Sequence, residues 1–365
     1  MARYLGKGNG KDGVIALGSY TPLKYTCSGT TGVTSLTATG TFSAGNRLFI
    51  IQSRGTGVGA YEDNQVASYT TGTITLVHPL ENDYTDLGDS QAQVLIVPEA
   101  SSVTGTLTLP AWDGDIGGGF VIACSGLYEG VIIGTGKGFR GGIGAAVRYR
   151  TGEGSVGASL AALIANGNGG GGGNYDASGP PGGGGGSNGT VGTIGGLGTH
   201  QAQTPGAYGL LIGSETLEDI FMGGGGGSGG SPNTDAWYPG GNGGPGGGFV
   251  VIYADSIANS ASVTLNGSDG LKGVNAGGGS GAGGGGGSCL VKCTKNLGLD
   301  FTATGGIGAP INTETTGPDY GGKGGDGGKG RLRIETCTNT TGTEDPTAST
   351  SIGGHDYCGI MGGII

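Results

Sequence analysis

Between turn signals, the first hundred or so residues alternate apolar and polar side chains, as in RLFIIQ (47–52), NQVASYTTGTITLV (64–77) and QAQVLIV (91–97). Successive side chains of a strand point to opposite faces, so alternation with period two predicts half-buried strands. No ten-residue stretch carries the competing helical pattern. Residues 1–110 are therefore expected to form a small β-sandwich-like domain of about six to eight strands, suited to attachment or assembly.

Further along, a different unit repeats. FVIACSGLYEGVIIGTGKG (120–138), FVVIYADSIANSASVTLNGSDG (249–270) and CLVKCTKNLGLDFTATGGIG (289–308) each hold a β run, a turn, a second β run and then glycine. RLRIETC (331–337) opens a fourth copy that looks unfinished. Such self-similarity predicts a solenoid in which each unit buries its face against its neighbours. Aligning the fifth residue of each first strand brings Cys124, Tyr253 and Cys293 into register, with Cys337 at the end of the fourth. This alignment suggests a Cys293–Cys337 disulfide.

What separates the copies is glycine. The chain has 365 residues and 94 glycines, of which 15 fall in residues 1–110, 6 in 337–365 and the other 73 between. That contrast marks three regions: 1–110, a glycine-rich β-repeat domain at 111–340, and a tail at 341–365. Ordering glycine costs more backbone entropy than ordering any other residue, and no side chain is buried in return. Order must come from the backbone itself. Polyproline-II geometry, with about three residues per turn, about 3.1 Å rise and no internal hydrogen bonds, leaves every N–H and C=O free for neighbours. The expected fold is thus all-β, with solenoid repeats interleaved with packed polyglycine-II helices. GGGGGS occurs at 182–187, 223–228 and 283–288. The last two copies sit at fixed places in the repeating plan, whereas the first, GGGGGSNG, is the best candidate for a flexible spacer.

Charge narrows the partners. Only 12% of residues are charged, the formal net charge is −10, and no Lys/Arg cluster occurs, so nucleic acid is not an expected partner. No run of about 20 apolar residues exists, and the N-terminus lacks a signal-peptide core, so neither membrane insertion nor Sec export is expected. Release by lysis fits this reading.

Enzyme motifs are weak. Asp113 and Asp115 in AWDGDIGGG are two residues apart, a spacing better suited to a polar turn than to a glycosidase pair. GGKGGD (321–326) matches the start of the calcium-binding nonapeptide, but Gly328 stands where its bulky apolar residue belongs. His78, His200 and His355 are scattered, and Cys289 and Cys293 have no second close pair to complete a zinc site. No catalytic residue, metal or cofactor is expected.

The segments that interrupt the glycine are richer: NYDASGPP (174–181), THQAQTPGAY (199–208), SPNTDAWYP (231–239) and GPDY (317–320). They combine rigid aromatic anchors with adaptable polar groups, as recognition loops do. Tyr175, Asp176, His200, Trp237, Tyr238, Asp319 and Tyr320 are the candidate receptor-binding residues. GTGKGFRGG (134–142), TLEDIFMGGGGGSGG (216–230), GGNGGPGGGFVVIYADSI (240–257) and GGDGGKGRLRIE (324–335) resemble a glycine-rich β-repeat module of bacterial surface and phage-like proteins. In composition and loop pattern, the centre is also similar to phage tail-fibre tip adhesins. That resemblance implies a polyglycine-II core whose distal loops contact a host-surface receptor, protein or glycan. The expected role is a structural virion protein of a tail fibre or tail tip, located in the virion tail. It would contact other tail subunits and form a homo-oligomer, with the apolar end HDYCGIMGGII a candidate for a core position or a subunit contact. The alternatives are a subunit of a bacterial or archaeal extracellular surface filament and a glycan-cleaving β-helix tailspike.

Overall fold

The computed structural model describes residues 5–144, 149–175, 179–199, 203–231, 239–274, 277–311 and 320–352. Among these the chain is all-β, with one 3-10 turn at Leu17–Ser19. Three parts pack together: an antiparallel sheet, two parallel sheets and a bundle of glycine segments.

The antiparallel part contains β2 (Lys24–Thr26), β3 (Ser35–Thr37), β4 (Arg47–Arg54), β5 (Tyr61–Thr70), β6 (Thr73–Leu76) and β7 (Gln91–Val97), in the order β2-β7-β4-β5-β6-β3. A bridge between Ser28 and Thr37 joins the two ends of this order. The sheet is therefore rolled up on itself, where a sandwich was expected. Leu36, Leu48, Ile50, Val66, Ile74 and Val94 fill its interior. The alternate residues Phe49, Ile51, Leu95 and Val97 face outward onto the parallel sheet. This explains why all of β4 is buried: both of its faces have a partner.

One parallel sheet runs β1 (Val14–Ala16), β9 (Ser102–Thr104), β11 (Gly119–Tyr128), β13 (Phe249–Ile257), β15 (Ser288–Asn296), β17 (Arg331–Asn339) and β19 (Ser349–Ile352), with β8 (Glu99–Ala100) beside β11. The other runs β10 (Thr106–Thr108), β12 (Val131–Ile133), β14 (Ser262–Thr264), β16 (Asp300–Thr302) and β18 (Glu344–Asp345). Each repeat copy gives one strand to each sheet, an arrangement compatible with a β-solenoid. The fourth copy is complete, because β18 follows β17. The parallel sheets begin at β1, ahead of the rolled sheet, and extend through 352, so they cross the expected boundaries at 110 and 340. Phe120, Ile122 and Cys124 of β11 stack with Val250, Ile252 and Ala254, then Cys289, Val291 and Cys293, against Ile132, Val263 and Phe301 of the facing sheet.

The register corrects the cysteine ladder. Cys124 pairs with Ala254, Ala254 with Cys293, and Cys293 with Thr336. Tyr253 and Cys337 are each one residue out of line, because Phe249 aligns with Gly119 and Ser288 with Arg331. A one-residue offset turns a side chain to the opposite face. Cys293 is a free buried thiol whose Sγ lies 3.5 Å from Thr336 Oγ1. Cys337 is disulfide-bonded, but not to Cys293.

Long insertions between the parallel strands, at 134–248, 265–287 and 303–330, form the glycine bundle. Consecutive amides there point in different directions. The N–H groups of Gly183 and Gly186 donate to Ser280 and Gly283, those of Gly184 and Ser187 to Gly171 and Asn168, and those of Gly182 and Gly185 to Gly196 and Thr193. Every third residue thus serves the same neighbour. Segment 182–187 is enclosed by 168–171, 193–196, 206–209, 224–230, 280–283 and 322–328. Segments 223–229 and 279–287 are enclosed on all sides in the same way. The three GGGGGS copies are therefore the three central segments of the bundle. The copy at 182–187, expected to be a spacer, is fully buried and hydrogen-bonded throughout.

Glycine frequency follows enclosure. A Cβ on Gly223 or Gly226 would run into Gly285 or Ala282, one on Gly224 or Gly227 into Asn168 or Gly171, and one on Gly225 into Arg140, all at backbone atoms and closer than 3.0 Å. A segment with neighbours on every face is therefore almost all glycine, interrupted only by small buried residues such as Ser187, Ser228, Ser280 and Ala282. At the margin, 321–330 reads GGKGGDGGKG, and its Lys323 and Lys329 are exposed while the flanking glycines are buried. Outermost of all, 190–198 turns Gly192 and Gly195 inward and exposes Val191, Ile194 and Leu197. GGKGGD therefore marks the outer face of a bundle segment. The Asp326 carboxylate accepts the Gly308 N–H at 2.8 Å and faces Lys323.

Two arginines tie the rolled sheet to the rest. Arg47 is buried, donates to Asp63 at 2.6 Å and lies 4.6 Å over the Tyr253 ring. Arg54 and Arg140 both pair with buried Glu153 of the bundle, and Arg54 lies over Trp112.

Gly184→Ala places a methyl group against the Ala207 carbonyl inside the bundle. It is expected to cost at least about 3 kcal/mol in denaturant unfolding, while Lys323→Ala at an outward position stays within about 0.5 kcal/mol.

Candidate functional site: the loop end of the glycine bundle

The bundle has two unlike ends. Segments 239–248, 279–287 and 320–330 run directly into β13, β15 and β17, so one end is fixed to the parallel sheets. Their neighbours alternate in direction, and the described residues that flank 145–148, 176–178, 200–202, 232–238, 275–276 and 312–319 lie at the opposite end. The described residues flanking them are bonded to one another. Thr199 donates its N–H to Tyr320 O at 3.1 Å and accepts the Tyr320 N–H on Oγ1 at 2.7 Å. Asn174 Nδ2 donates to Gln203 Oε1 at 3.0 Å, and its Oδ1 accepts the Tyr175 N–H. Val274 N–H donates to Pro239 O, and Gly322 N–H to Pro180 O.

Tyr175 and Tyr320 stand on these stems with 43% and 38% of their surface exposed. Asp176, His200, Trp237, Tyr238 and Asp319 lie outside the described residues, as does the C-terminal HDYCGIMGGII. The described residues next in the chain to Asp176, His200, Trp237, Tyr238 and Asp319 lie at one end of the bundle. Connections 145–148 and 275–277 escaped the sequence reading. They are short and lack tryptophan, and their shared signal is the spaced glycine of the segments on either side.

A cavity of about 600 Å³ opens on the side of the bundle, lined by Arg140, Ile143, Arg150, Glu153 and Ser159 among others. Arg140 is committed there. Its Nε and Nη2 donate to Glu153, and its Nη1 donates to Asp113 O at 2.7 Å. The hydrogen bonds to Glu153 raise its pKa further. Asp113 Oδ1 accepts the N–H groups of Asp115 and Ile116, each at 2.9 Å, which is the geometry of a polar turn.

The described free thiols are poor nucleophiles. Burial pushes Cys293 up to about 11, and it raises Cys27, Cys124 and Cys289 as well. No group of three or more metal-ligating side chains occurs among the described residues. No helix among them is long and apolar enough to cross a membrane.

No protein-family model matches the chain, and no curated protein matches it. Among solved structures it shows a distant likeness to the Gp54 tailspike of Acinetobacter baumannii bacteriophage AP22, solved in complex with A. baumannii capsular saccharide. Identity is 9% and the TM-score 0.20, with 88% of this chain and 54% of that chain covered. The chain thus spans about half the length of that tailspike. At this TM-score the likeness fixes neither fold nor function.

At about pH 8, burial shields these four thiols, and it raises the pKa of each above that of a free thiol. Cys27, Cys124, Cys289 and Cys293 are therefore expected to resist alkylation in the folded chain at that pH and to react on unfolding, as read by mass spectrometry.

Proposed function

We propose that this chain is a non-enzymatic structural protein of a phage tail fibre or tail tip, which binds a host-surface receptor, protein or glycan, through loops at the free end of a polyglycine-II core. The polyglycine-II reading is supported by the period-three distribution of amides and by the enclosure of the three GGGGGS segments. One observation carries the functional reading: the described stems at the end of the bundle away from the sheets are bonded to one another, and the segments they flank in sequence hold the aromatic and polar residue types of recognition loops. Recognition needs loops whose sequence can vary without unfolding their support. A core bonded mainly through its backbone gives that freedom, since its order rests on amide–carbonyl pairs and not on loop side chains. The virion tail is the location that goes with this role.

The test uses the full chain, fluorescently labelled, on a panel of bacterial strains and on a glycan array. Trp237→Ala combined with Tyr238→Ala should reduce binding to a recognised strain at least about tenfold, with an unchanged melting midpoint. Substitutions of Tyr175 and Tyr320 should act in the same direction. Binding that is indifferent to all four positions, or oligosaccharide release by the purified chain, would overturn the proposal.

A further inference from the structure

One flank of the bundle is apolar and carries no charge. Segment 190–198 bonds to 204–211 through Gly195 N–H and Gly206 O, and 204–211 bonds to 160–164 through Ala207 N–H and Leu163 O. These three segments are therefore neighbours on the outer surface. They expose Val191, Ile194 and Leu197 from the first, Tyr208 and Leu211 from the second, and Ile164 from the third, at 43–71% of their surface. Val191, Ile194 and Leu197 are three residues apart, so they form a straight row along the segment. Between Glu153 and Glu215 the described residues include no Asp, Glu, Lys or Arg. The adjoining segment 321–330, bonded to 190–198 through Thr193 N–H and Asp326 O, borders this flank with the charged row Lys323, Asp326 and Lys329.

We infer that this flank is the contact surface for a second copy of the same chain. The six side chains offer on the order of 600 Å² of apolar surface, the upper end of what a lone protein exposes. Two such faces in contact bury about 1,200 Å², the lower bound for a stable interface. The rows have one spacing, set by the backbone repeat, so an identical face brings rows that fit between them. A self-complementary patch is what a two-fold contact requires, and the lack of charge removes the like-charge repulsion that two copies of a −10 chain would otherwise meet. The contact leaves the sheet end and the loop end uncovered and is independent of what the loops bind.

Sedimentation of the full chain from about 1 to about 100 µM tests the inference. The wild type is expected to reach twice the 35.2 kDa chain mass. Ile194→Lys combined with Leu211→Lys should weaken association at least about 100-fold, with an unchanged melting midpoint, because both side chains point outward. Ile307→Lys, at another exposed apolar position away from these three segments, should leave the mass unchanged. A wild type that stays a single chain throughout overturns the inference. So does an assembly that survives the double substitution, or one that Ile307→Lys also dissolves.

Discussion

The structure depends on one constraint: in the middle of the bundle, every amide must find a carbonyl on another segment, and no Cβ can come between them. Gly182–Gly186, Gly223–Gly227 and Gly283–Gly287 meet this condition on all sides. Each ordered residue costs roughly 1–2 kcal/mol of backbone entropy, and each hydrogen bond returns a net of about 0.5–1.5 kcal/mol. Backbone pairing alone leaves such a bundle close to balance. Its order therefore rests on anchorage, which β13, β15 and β17 supply by continuing three of the segments into a packed core.

Anchorage at one end leaves the other free. The parallel sheets repeat at fixed spacing, so they deliver the segments already aligned. The rolled sheet adds a lateral clamp, through Arg54 to Glu153 and through Tyr61, whose hydroxyl donates to Leu217 O at 3.2 Å. Within the described bundle, large side chains are concentrated at the outward positions of the marginal segments, such as Lys323, Lys329, Val191 and Ile194.

Much of this was legible in the chain. Alternation located β4, β5, β6 and β7, and the repeat located the strands from β11 to β17. The glycine tracts read as backbone-bonded once their entropy cost was weighed. Three things were hidden. The first rung begins at Val14–Ala16, a strand too short to show a period, and the rolled sheet separates it from its partner. The copies are offset by one residue at Phe249 and Arg331, which no alignment of short apolar runs resolves, and this misplaced Tyr253 and Cys337. GGGGGSNG lacks an adjoining strand, so its central place shows only in three dimensions. Of the candidate site, the loop residue types were readable, whereas the pairing of the described stems, Thr199 with Tyr320 and Asn174 with Gln203, arises in three dimensions and is not stated by sequence.

Amide hydrogen exchange of residues 183–187, 223–227 and 283–287 tests the central claim most directly. If these amides are held by neighbouring segments, they will exchange as slowly as those of β13 and β15. Complete exchange within the dead time, with the strands still protected, would contradict the account.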